Sequence, residues 1–242
     1  MNRHLRVLSY NIHKGFNTGN RKFILGKIRD AIRSVQPDLI FLQEVQGHHV
    51  ERMSKPQFEF LAHKIWPHFS YGKNAVYESG HHGNAILSKY PFVFSENIDI
   101  STNRFEKRGL LHGMIKIPGC VNEVHAICVH LGLLEPERQK QIGLLCQRIE
   151  SHVPHEAPLV IAGDFNDWRD RATTPLKRKL DIHEAFLSVR GRLPRTYPSW
   201  LPSFRLDRIY FRGMTALSAE CLAVSPWNHL SDHAALTAKL KF

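Results

Sequence analysis

Polar side chains able to carry out acid–base and ion-binding chemistry recur at the ends of short apolar runs in this 242-residue chain. Four apolar runs end in such side chains and two others begin with them. The set comprises Asn11, Glu44, His130, Asp164, Asn166, Asp207, Asp232 and His233. Carboxylates, imidazoles and amides move protons, hold cations and hydrogen-bond anionic oxygens. Their repeated placement at run ends indicates one shared site rather than unrelated surface positions.

The apolar runs have the character of strands. They are short, bounded by turn residues, and either alternate in polarity or are rich in β-branched and aromatic side chains. We predict eight strands, at residues 6–10, 39–42, 84–87, 112–117, 124–129, 159–162, 206–211 and 234–240. Helical periodicity predicts helices at 22–35, before Pro37, and at 135–151, with Pro136 in the first turn. Strands and helices mixed in this way predict sheets flanked by helices, in a single domain spanning residues 1–242.

The predicted strands bring the polar residues to one rim. Adjacent antiparallel strands place the start of one beside the end of the next. Four carboxylates, from Glu44, Asp164, Asp207 and Asp232, would repel one another there. A hard divalent cation relieves such repulsion, and Mg²⁺ favours a few carboxylate ligands completed by water and substrate phosphate. The residue types therefore point to a Mg²⁺ site that handles phosphate.

The charge balance indicates an anionic partner. The chain has 33 Lys and Arg against 22 Asp and Glu, a formal net charge of +11, which attracts nucleic acid or anionic lipid headgroups. Basic residues gather in two places, at 177–179 and at Arg190, Arg192 and Arg195, where Tyr197 and Trp200 follow. This resembles a groove edge on which bases stack, although a solvated loop explains it as well. No stretch reaches the roughly 18 apolar residues of a transmembrane helix, so we expect a cytoplasmic address. We also expect a monomer.

Seven short motifs along the chain carry a family resemblance. In order they are Ser-Tyr-Asn (9–11), Gln-Glu-Val (43–45), Gly-Asn-Ala-Ile-Leu-Ser (83–88), Val-His-Leu (129–131), Gly-Asp-Phe-Asn (163–166), Leu-Asp-Arg-Ile (206–209) and Ser-Asp-His (231–233). Together they resemble the endonuclease/exonuclease/phosphatase superfamily, which has the DNase I-like fold. The resemblance implies an α/β four-layer sandwich, in which two mixed β-sheets pack face to face between helices. It also implies a hydrolase of phosphate esters that uses Mg²⁺, or Mn²⁺ in its place, most readily on a phosphodiester.

The resemblance also implies how the metal and the attacking water are held. Glu44 is expected to be the principal Mg²⁺ ligand, with Asn11 beside it. Asp232 is expected to assist the metal or the water. Asp164 is expected to be the general base that takes a proton from the attacking water. Asn84 is expected to contribute to substrate binding from behind the residues that touch the substrate.

The remaining roles concern the phosphate group. By the same resemblance, Asn166 and His130 are expected to hydrogen-bond phosphate oxygens. Asp207 is expected to orient His233, whose imidazolium would face the negative charge. Arg108, in the tripeptide Lys-Arg-Gly, matches a position that touches phosphate. Cationic and hydrogen-bonding partners are what a negatively charged transition state requires.

The chain departs from the abasic-site endonucleases of the superfamily at two positions. Ile12-His13 stands where those enzymes have an aspartate that helps to bind metal, and His130 stands where they have a tyrosine. His130 instead matches the DNase, sphingomyelinase and inositol-phosphatase branches. Abasic-site repair is therefore disfavoured, and His13 is expected to contact phosphate or to have a structural role rather than to bind Mg²⁺.

Three other functions remain open. A phosphatase or phospholipase-type enzyme, acting on inositol phosphates or phospholipid headgroups, would share the core and differ in the loops at 14–22, 47–58, 97–107 and 167–177. A basic nucleic-acid-binding module without catalysis would keep the charge, but decay would have spared fewer of the polar rim residues. A zinc enzyme is suggested by 16 histidines, yet no HExxH motif supports it, and the pairs His48-His49 and His81-His82 are expected in loops.

Overall fold

The computed structural model describes residues 4–49 and 55–242, and within them the chain forms twelve strands and five α-helices. The strands are β1 (His4–Asn11), β2 (Leu39–His49), β3 (His68–Tyr77), β4 (Gly80–Ser88), β5 (Phe92–Asp99), β6 (Gly109–Ile115), β7 (Val124–His130), β8 (Leu159–Asp164), β9 (His183–Glu184), β10 (Asp207–Arg212), β11 (Thr215–Leu222) and β12 (Ala235–Lys241). The helices are α1 (Leu25–Val35), α2 (Gln57–Ala62), α3 (Glu135–His152), α4 (Thr173–Leu180) and α5 (Ala185–Arg190).

The strands form two six-stranded sheets. Sheet I has the order β11-β12-β1-β2-β4-β3, and sheet II has the order β5-β6-β7-β8-β10-β9. Both sheets are mixed, because β1 runs parallel to β2 and antiparallel to β12, while β7 runs parallel to β8 and β8 antiparallel to β10. The prediction of two mixed β-sheets is therefore confirmed.

Alternation along the strands divides the apolar side chains between two kinds of core. In β1, Val7 faces the space between the sheets, whereas Leu8 faces outwards towards α1 and α2. The outer face of sheet II is covered in the same way by α3 and α4, with Ile142 and Leu176 in one cluster. Helix, sheet, sheet and helix thus form the expected four-layer sandwich, whose three apolar layers hold the strand ends in place.

Four strands were not anticipated from the sequence, and all four are sheet edges. They are β3, β5, β9 and β11. An edge strand has a neighbour on one side only and is partly exposed, so its sequence lacks the apolar run that reveals an interior strand. The strand β2 is also longer than predicted. It places His48 opposite His81 of β4, so the expectation that these histidine pairs lie in loops is wrong.

The two predicted helices are confirmed with shifted ends. The first begins at Leu25 rather than at residue 22, because Phe23 pairs with Phe16 in an isolated β-bridge. It ends at Val35, and Gln36 adopts a left-handed conformation before Pro37. Of the expected loop at 47–58, residues 50–54 lie outside the described residues. The loop expected at 167–177 is shorter, since α4 begins at Thr173.

The two basic clusters do not share a groove. Residues 177–179 form the last turn of α4, whose final carbonyl, at Leu180, accepts a hydrogen bond from Arg212 at the end of β10 that is remote from Asp207. Arg190, Arg192 and Arg195, by contrast, line a groove together. Across residues 4–49 and 55–242, no helix has the length and apolar character needed to cross a membrane.

Candidate active site

Three predicted site residues lie side by side at one end of sheet II. Asp164 ends β8, and the register places it opposite His130 of β7 and Asp207 of β10. The side-chain nitrogen His130 Nε2 lies 3.4 Å from Asp164 Oδ2. The strand ends predicted to share a rim therefore do so within this sheet.

Sheet I contributes two more residues to the same rim. Asn11 Nδ2 lies 3.3 Å from Glu44 Oε1 and 3.2 Å from Asp164 Oδ2, so one amide joins the two sheets. Glu44 sits at a bulge in the pairing of β2 with β4, between Leu42 and Val45, and has φ +55°. A bulge turns a side chain away from the regular alternation, and a positive φ in a non-glycine residue marks local strain that is frequent at functional sites.

Close backbone packing holds the end of β8. Gly163 has φ +151°, and a Cβ built there would lie 1.9 Å from the carbonyl oxygen of Val129, so only glycine allows this approach. Beyond it, Asn166 has φ +48°, and its backbone N–H donates to Asp164 Oδ1 at 2.9 Å. The side-chain amide of Asn166 donates to Leu131 O at 2.8 Å, which leaves its second N–H available.

His233 lies between two buried carboxylates. Its Nδ1 is 2.9 Å from Asp207 Oδ2, and its Nε2 is 3.6 Å from Asp164 Oδ2. Burial alone lowers the pKa of His233, but the negative charges of Asp207 and Asp164 outweigh it and raise this pKa to about 10. His233 is therefore an imidazolium at neutral pH, and Asp207 fixes its orientation.

Asp164 has the properties of a base that works near neutral pH. Burial raises the pKa of Asp164 to about 7; the charge of His233 opposes this shift, and the nearby Asp207 adds to it. The neighbouring His130 behaves differently, because burial and the positive charge of Arg108 hold its pKa well below the ordinary value. His130 is thus a neutral hydrogen-bonding group, whereas Asp164 can exchange a proton at physiological pH.

Lys14 is a site residue that the sequence interpretation missed. Its ammonium Nζ lies 2.9 Å from Glu44 Oε2. Burial alone would raise the pKa of Glu44, but the charge of Lys14 and the hydrogen bonds from Lys14 and Asn11 lower it well below its usual range. The sequence did contain a signal, because Lys14 comes three residues after Asn11, the polar end of a predicted strand. A turn at that point can bring the lysine back to the rim.

Asp232 and His13 form a second polar pair beside the site. His13 Nδ1 lies 3.4 Å from Asp232 Oδ1, which also accepts a hydrogen bond from the Ser231 hydroxyl at 3.2 Å. The ring of Tyr197 packs against His233, with 5.0 Å between ring centroids. Tyr197 was noted in the sequence as a candidate base-stacking residue, and the structure places it against a site imidazole instead.

Arg108 and Asn84 occupy different positions relative to the rim. Arg108 forms a 2.5 Å ion pair with Glu106, and its positive charge lowers the pKa of both His130 and Asp164. Asn84 is completely buried, and its amide donates to Gly109 O at 2.9 Å. Its amide is directed at backbone carbonyls of β6 and β7, so any part that Asn84 has in substrate binding is indirect.

The donor groups of the rim offer two candidate places for a cation. Among the described residues, the one cluster of acidic, histidine or cysteine donors close enough to share an ion is Asp164, Asp207 and His233, within 4.8 Å of one another. In that cluster the Nδ1 atom of His233 is already paired with Oδ2 of Asp207 at 2.9 Å, so a metal there would have to displace the proton that the two side chains share. Glu44 offers a better face, since it is ionised and already attracts the ammonium of Lys14. Oxygen donors of this kind suit a hard divalent cation. The amide nitrogen of Asn11, rather than its oxygen, faces the carboxylates here.

Comparison with known proteins identifies the family to which this site belongs. The sequence model of the Endonuclease/Exonuclease/phosphatase family matches residues 8–233, a span that contains every rim residue described above. The chain belongs to this family. Its members are in general hydrolases of phosphate esters, and this chain is assigned to that broad class.

Relatives of this family member extend the comparison. The uncharacterized protein YbhP of Escherichia coli (strain K12) is 46% identical over 242 residues, covering 97% of this chain and 95% of that protein. A crystal structure of an endonuclease/exonuclease/phosphatase from Beutenbergia cavernae matches with a TM-score of 0.81 at 20% identity, covering 99% of this chain and 72% of that one. D. rerio TDP2, crystallised with a single-strand DNA product, matches with a TM-score of 0.74 at 19% identity, covering 99% of each chain. These structural similarities confirm the DNase I-like fold.

Proposed function

We propose that the protein is a Mg²⁺-dependent phosphodiesterase in which Asp164 activates the attacking water. One observation carries this proposal: the buried carboxylate of Asp164 lies within 3.6 Å of His130, His233 and the amide of Asn11. A carboxylate with a pKa of about 7 is half ionised at neutral pH, so it can accept a proton from water and release it again.

Glu44 is the proposed principal ligand of the metal, with Asn11 and Asp232 at its sides. A bound Mg²⁺ ion would neutralise charge on the phosphate and make its phosphorus more open to attack. The ammonium of Lys14 lies against the same carboxylate at 2.9 Å. We infer that Lys14 moves aside from Glu44, or shares it, when a divalent cation binds.

The phosphate group would be held by donors on the opposite side of Asp164. His233 is an imidazolium whose Nδ1 is occupied by Asp207 at 2.9 Å, so its Nε2–H is the proton available to a phosphoryl oxygen. His130 and the second amide hydrogen of Asn166 are the proposed neutral donors. Preorganised donors of this kind stabilise the negative charge that grows as water attacks the phosphorus in line with the leaving group.

The test is hydrolysis of bis-p-nitrophenyl phosphate, plasmid DNA, RNA and phospholipid vesicles, each with Mg²⁺, Mn²⁺ or EDTA. We expect turnover with Mg²⁺ or Mn²⁺ and none with EDTA. Asp164→Asn and His233→Ala should each lower turnover by about 10²–10⁴-fold while the circular dichroism spectrum is unchanged. Matched controls are Asp30→Asn and His155→Ala, which change exposed side chains away from the rim.

Two outcomes would contradict the proposal. The first is turnover by either site variant within about tenfold of wild type, since a general base or its partner contributes more than that. The second is activity that is indifferent to EDTA. Stoichiometric DNA binding without any product would instead favour the non-catalytic binding module.

A further inference from the structure

Large apolar side chains are exposed along the rim that holds the candidate site. We call them the rim band; their exposed fractions range from 49% to 84%, and they are Phe105, Leu133, Leu134, Trp168, Trp200 and Leu201. Leu133 and Leu134 follow β7 shortly after His130, and Trp168 follows Asn166 by two residues. Exposed apolar residues scattered singly are ordinary, but a set concentrated on one edge marks an interaction surface.

A hydrogen bond and two ion pairs tie three of the contributing loops into one surface. The side chain of Asn103 donates to Glu137 Oε1 at 2.6 Å, which joins the loop of Phe105 to the start of α3. Glu135, one residue after Leu134, pairs with Arg169 at 3.1 Å and with Arg171 at 2.6 Å. Phe105, the two leucines and Trp168 are therefore held on neighbouring loops.

A further ion pair extends the surface to the segment of Trp200 and Leu201. Arg205 pairs with Asp170 at 2.8 Å, so the loop that follows Trp168 is joined to the segment that contains Trp200. The same segment carries Tyr197, whose ring packs against His233. The rim band thus continues along the edge of the candidate site and would face whatever surface presents the substrate.

Positive charge accompanies this apolar surface. Residues 190–205 include four arginines and no acidic residue. Arg190, Arg192, Arg195 and Arg205 line a groove of about 910 Å³, together with one acidic residue, Glu220, and apolar residues such as Leu193 and Val224. The groove lies near the site, because Arg195, which lines it, precedes Thr196, and the Thr196 hydroxyl accepts a hydrogen bond from the backbone N–H of Asp207 at 3.3 Å.

We propose that the rim band and this arginine-lined groove dock the protein on an anionic phospholipid surface. Trp and Leu side chains that enter the headgroup region, flanked by arginines that attract anionic lipid, are the combination that peripheral membrane binding requires. Single-stranded nucleic acid fits less well, because bases stack on aromatic rings, whereas Leu133, Leu134 and Leu201 offer none. If the proposed phosphodiesterase activity holds, the scissile bond belongs to a phospholipid headgroup, and this last step rests on the proposed function.

The first test measures binding without catalysis. The 242-residue chain is sedimented in EDTA with vesicles of phosphatidylglycerol and phosphatidylcholine, or of phosphatidylcholine alone. We expect binding to the anionic vesicles that weakens with added salt. The variants Leu133→Ser with Leu134→Ser, and Trp200→Ser with Leu201→Ser, should each weaken it at least about tenfold, because every exposed apolar side chain that enters the bilayer contributes.

Matched controls change the opposite end of the sandwich. Val121→Ser with Val93→Ser removes exposed apolar side chains remote from the rim and should leave vesicle binding unchanged. Arg192→Ala with Arg195→Ala should weaken vesicle binding about fivefold for each arginine removed. An arginine near an anionic membrane surface contributes a binding free energy that corresponds to about this factor. Lys177→Ala with Arg178→Ala removes the same charge from α4 and should have a much smaller effect.

The outcomes separate this proposal from its alternatives and from the proposed catalytic function. Absence of sedimentation with anionic vesicles, or rim-band variants that bind like wild type, would overturn it. So would a single-stranded oligonucleotide that binds more tightly than the vesicles and loses affinity in the same variants. Hydrolysis of soluble bis-p-nitrophenyl phosphate should be the same in the rim-band variants and in wild type. Loss of vesicle binding with this activity retained would show that docking, not the catalytic site, was removed.

Discussion

The Nδ1 atom of His233, just before β12, lies 2.9 Å from Oδ2 of Asp207, the first residue of β10, and both side chains are buried. This contact, reinforced by the charge of Asp164, keeps the imidazole protonated. Without a carboxylate at this distance, burial would favour the neutral ring. With it, the pKa of His233 rises to about 10 and the ring stays charged at physiological pH.

Asp207→Asn should therefore alter the pH dependence of catalysis as well as its rate. Because the carboxylate raises the pKa of His233, its removal lowers that pKa and the protonated form is lost at lower pH. We expect kcat to fall about 10²–10⁴-fold and the alkaline limb of the rate profile to move to lower pH. The measurement is kcat for bis-p-nitrophenyl phosphate between pH 6 and about 10.

The double variant Asp207→Asn with His233→Ala is the control for this interpretation. If Asp207 acts through His233, the double variant should be no slower than His233→Ala alone. If the rate losses of the two single variants instead multiply in the double variant, Asp207 has a role separate from His233.

Asp164 should titrate near neutral pH in the metal-free protein. Burial, opposed by His233 and reinforced by Asp207, raises the pKa of its carboxyl group to about 7. We expect a carboxyl ¹³C resonance with that midpoint, absent from Asp164→Asn, in protein labelled at aspartate. Added Mg²⁺ should move the midpoint lower, because a nearby cation favours the ionised form. A midpoint near the ordinary value of about 4 without metal would contradict the description of this site.

Lys14→Met should strengthen the binding of Mg²⁺. The ammonium of Lys14 lies 2.9 Å from the carboxylate that we propose as the principal metal ligand, so the two cations compete for Glu44. We expect the half-saturating Mg²⁺ concentration to fall about fivefold, the effect of removing one partly screened charge. Isothermal titration calorimetry measures this directly. Lys27→Met, on the exposed face of α1, is the charge-matched control and should have no effect, whereas Glu44→Gln should weaken binding severely.

Gly163→Ala should destabilise the protein by about 3 kcal/mol or more, because the backbone would have to change its φ angle and move away from β7. The added Cβ would lie 1.9 Å from Val129 O, at a φ of +151°. Urea denaturation monitored by fluorescence measures the change. Gly143→Ala in α3, where a Cβ meets nothing within 4 Å, should instead stabilise the protein by about 0.5–1 kcal/mol. Equal effects of the two substitutions would be inconsistent with the geometry described.

A buried histidine pair remote from the site should make stability depend on acidity. His112 Nε2 lies 2.9 Å from His125 Nδ1, and Arg148 donates to His112 Nδ1 at 3.1 Å. Burial, together with the charges of His125 and Arg148, lowers the pKa of His112 to about 3. His112 is therefore protonated at lower pH in the folded state than in the unfolded chain, where the pKa of a histidine is about 6.5.

The sign of the effect follows from that difference. The contribution of His112 to stability is complete above about pH 6.5 and is lost as the pH falls towards the folded pKa, with a slope of up to about 1.4 kcal/mol per pH unit for one group. His112→Gln should make the free energy of unfolding less dependent on pH between about 6.5 and about 4. An unchanged slope in that variant would assign the acid sensitivity to other groups.

Interior strands and the residues at their ends could be predicted from the sequence because their signals are local. A strand buried on both faces needs a continuous apolar run. A polar residue at the end of such a run therefore lies where the strand leaves the sheet. Asn11, Asp164 and Asp207 were found in this way. The edge strands β3 and β11 were missed, because a strand with one neighbour and a solvated face needs no such run.

Contacts between distant segments were decided only by the tertiary structure. Asn11 and Asp164 are 153 positions apart, yet their side chains meet at 3.2 Å because the two sheets pack face to face. The stacking also places Lys14 on Glu44 and leaves Asn84 inside the sandwich. The protonation states of Asp164 and His233 follow from this burial and pairing, since the residue types alone specify only ordinary pKa values. Residue types and order thus determined which chemistry was available, whereas packing determined which charges face each other and which apolar side chains remain in solvent.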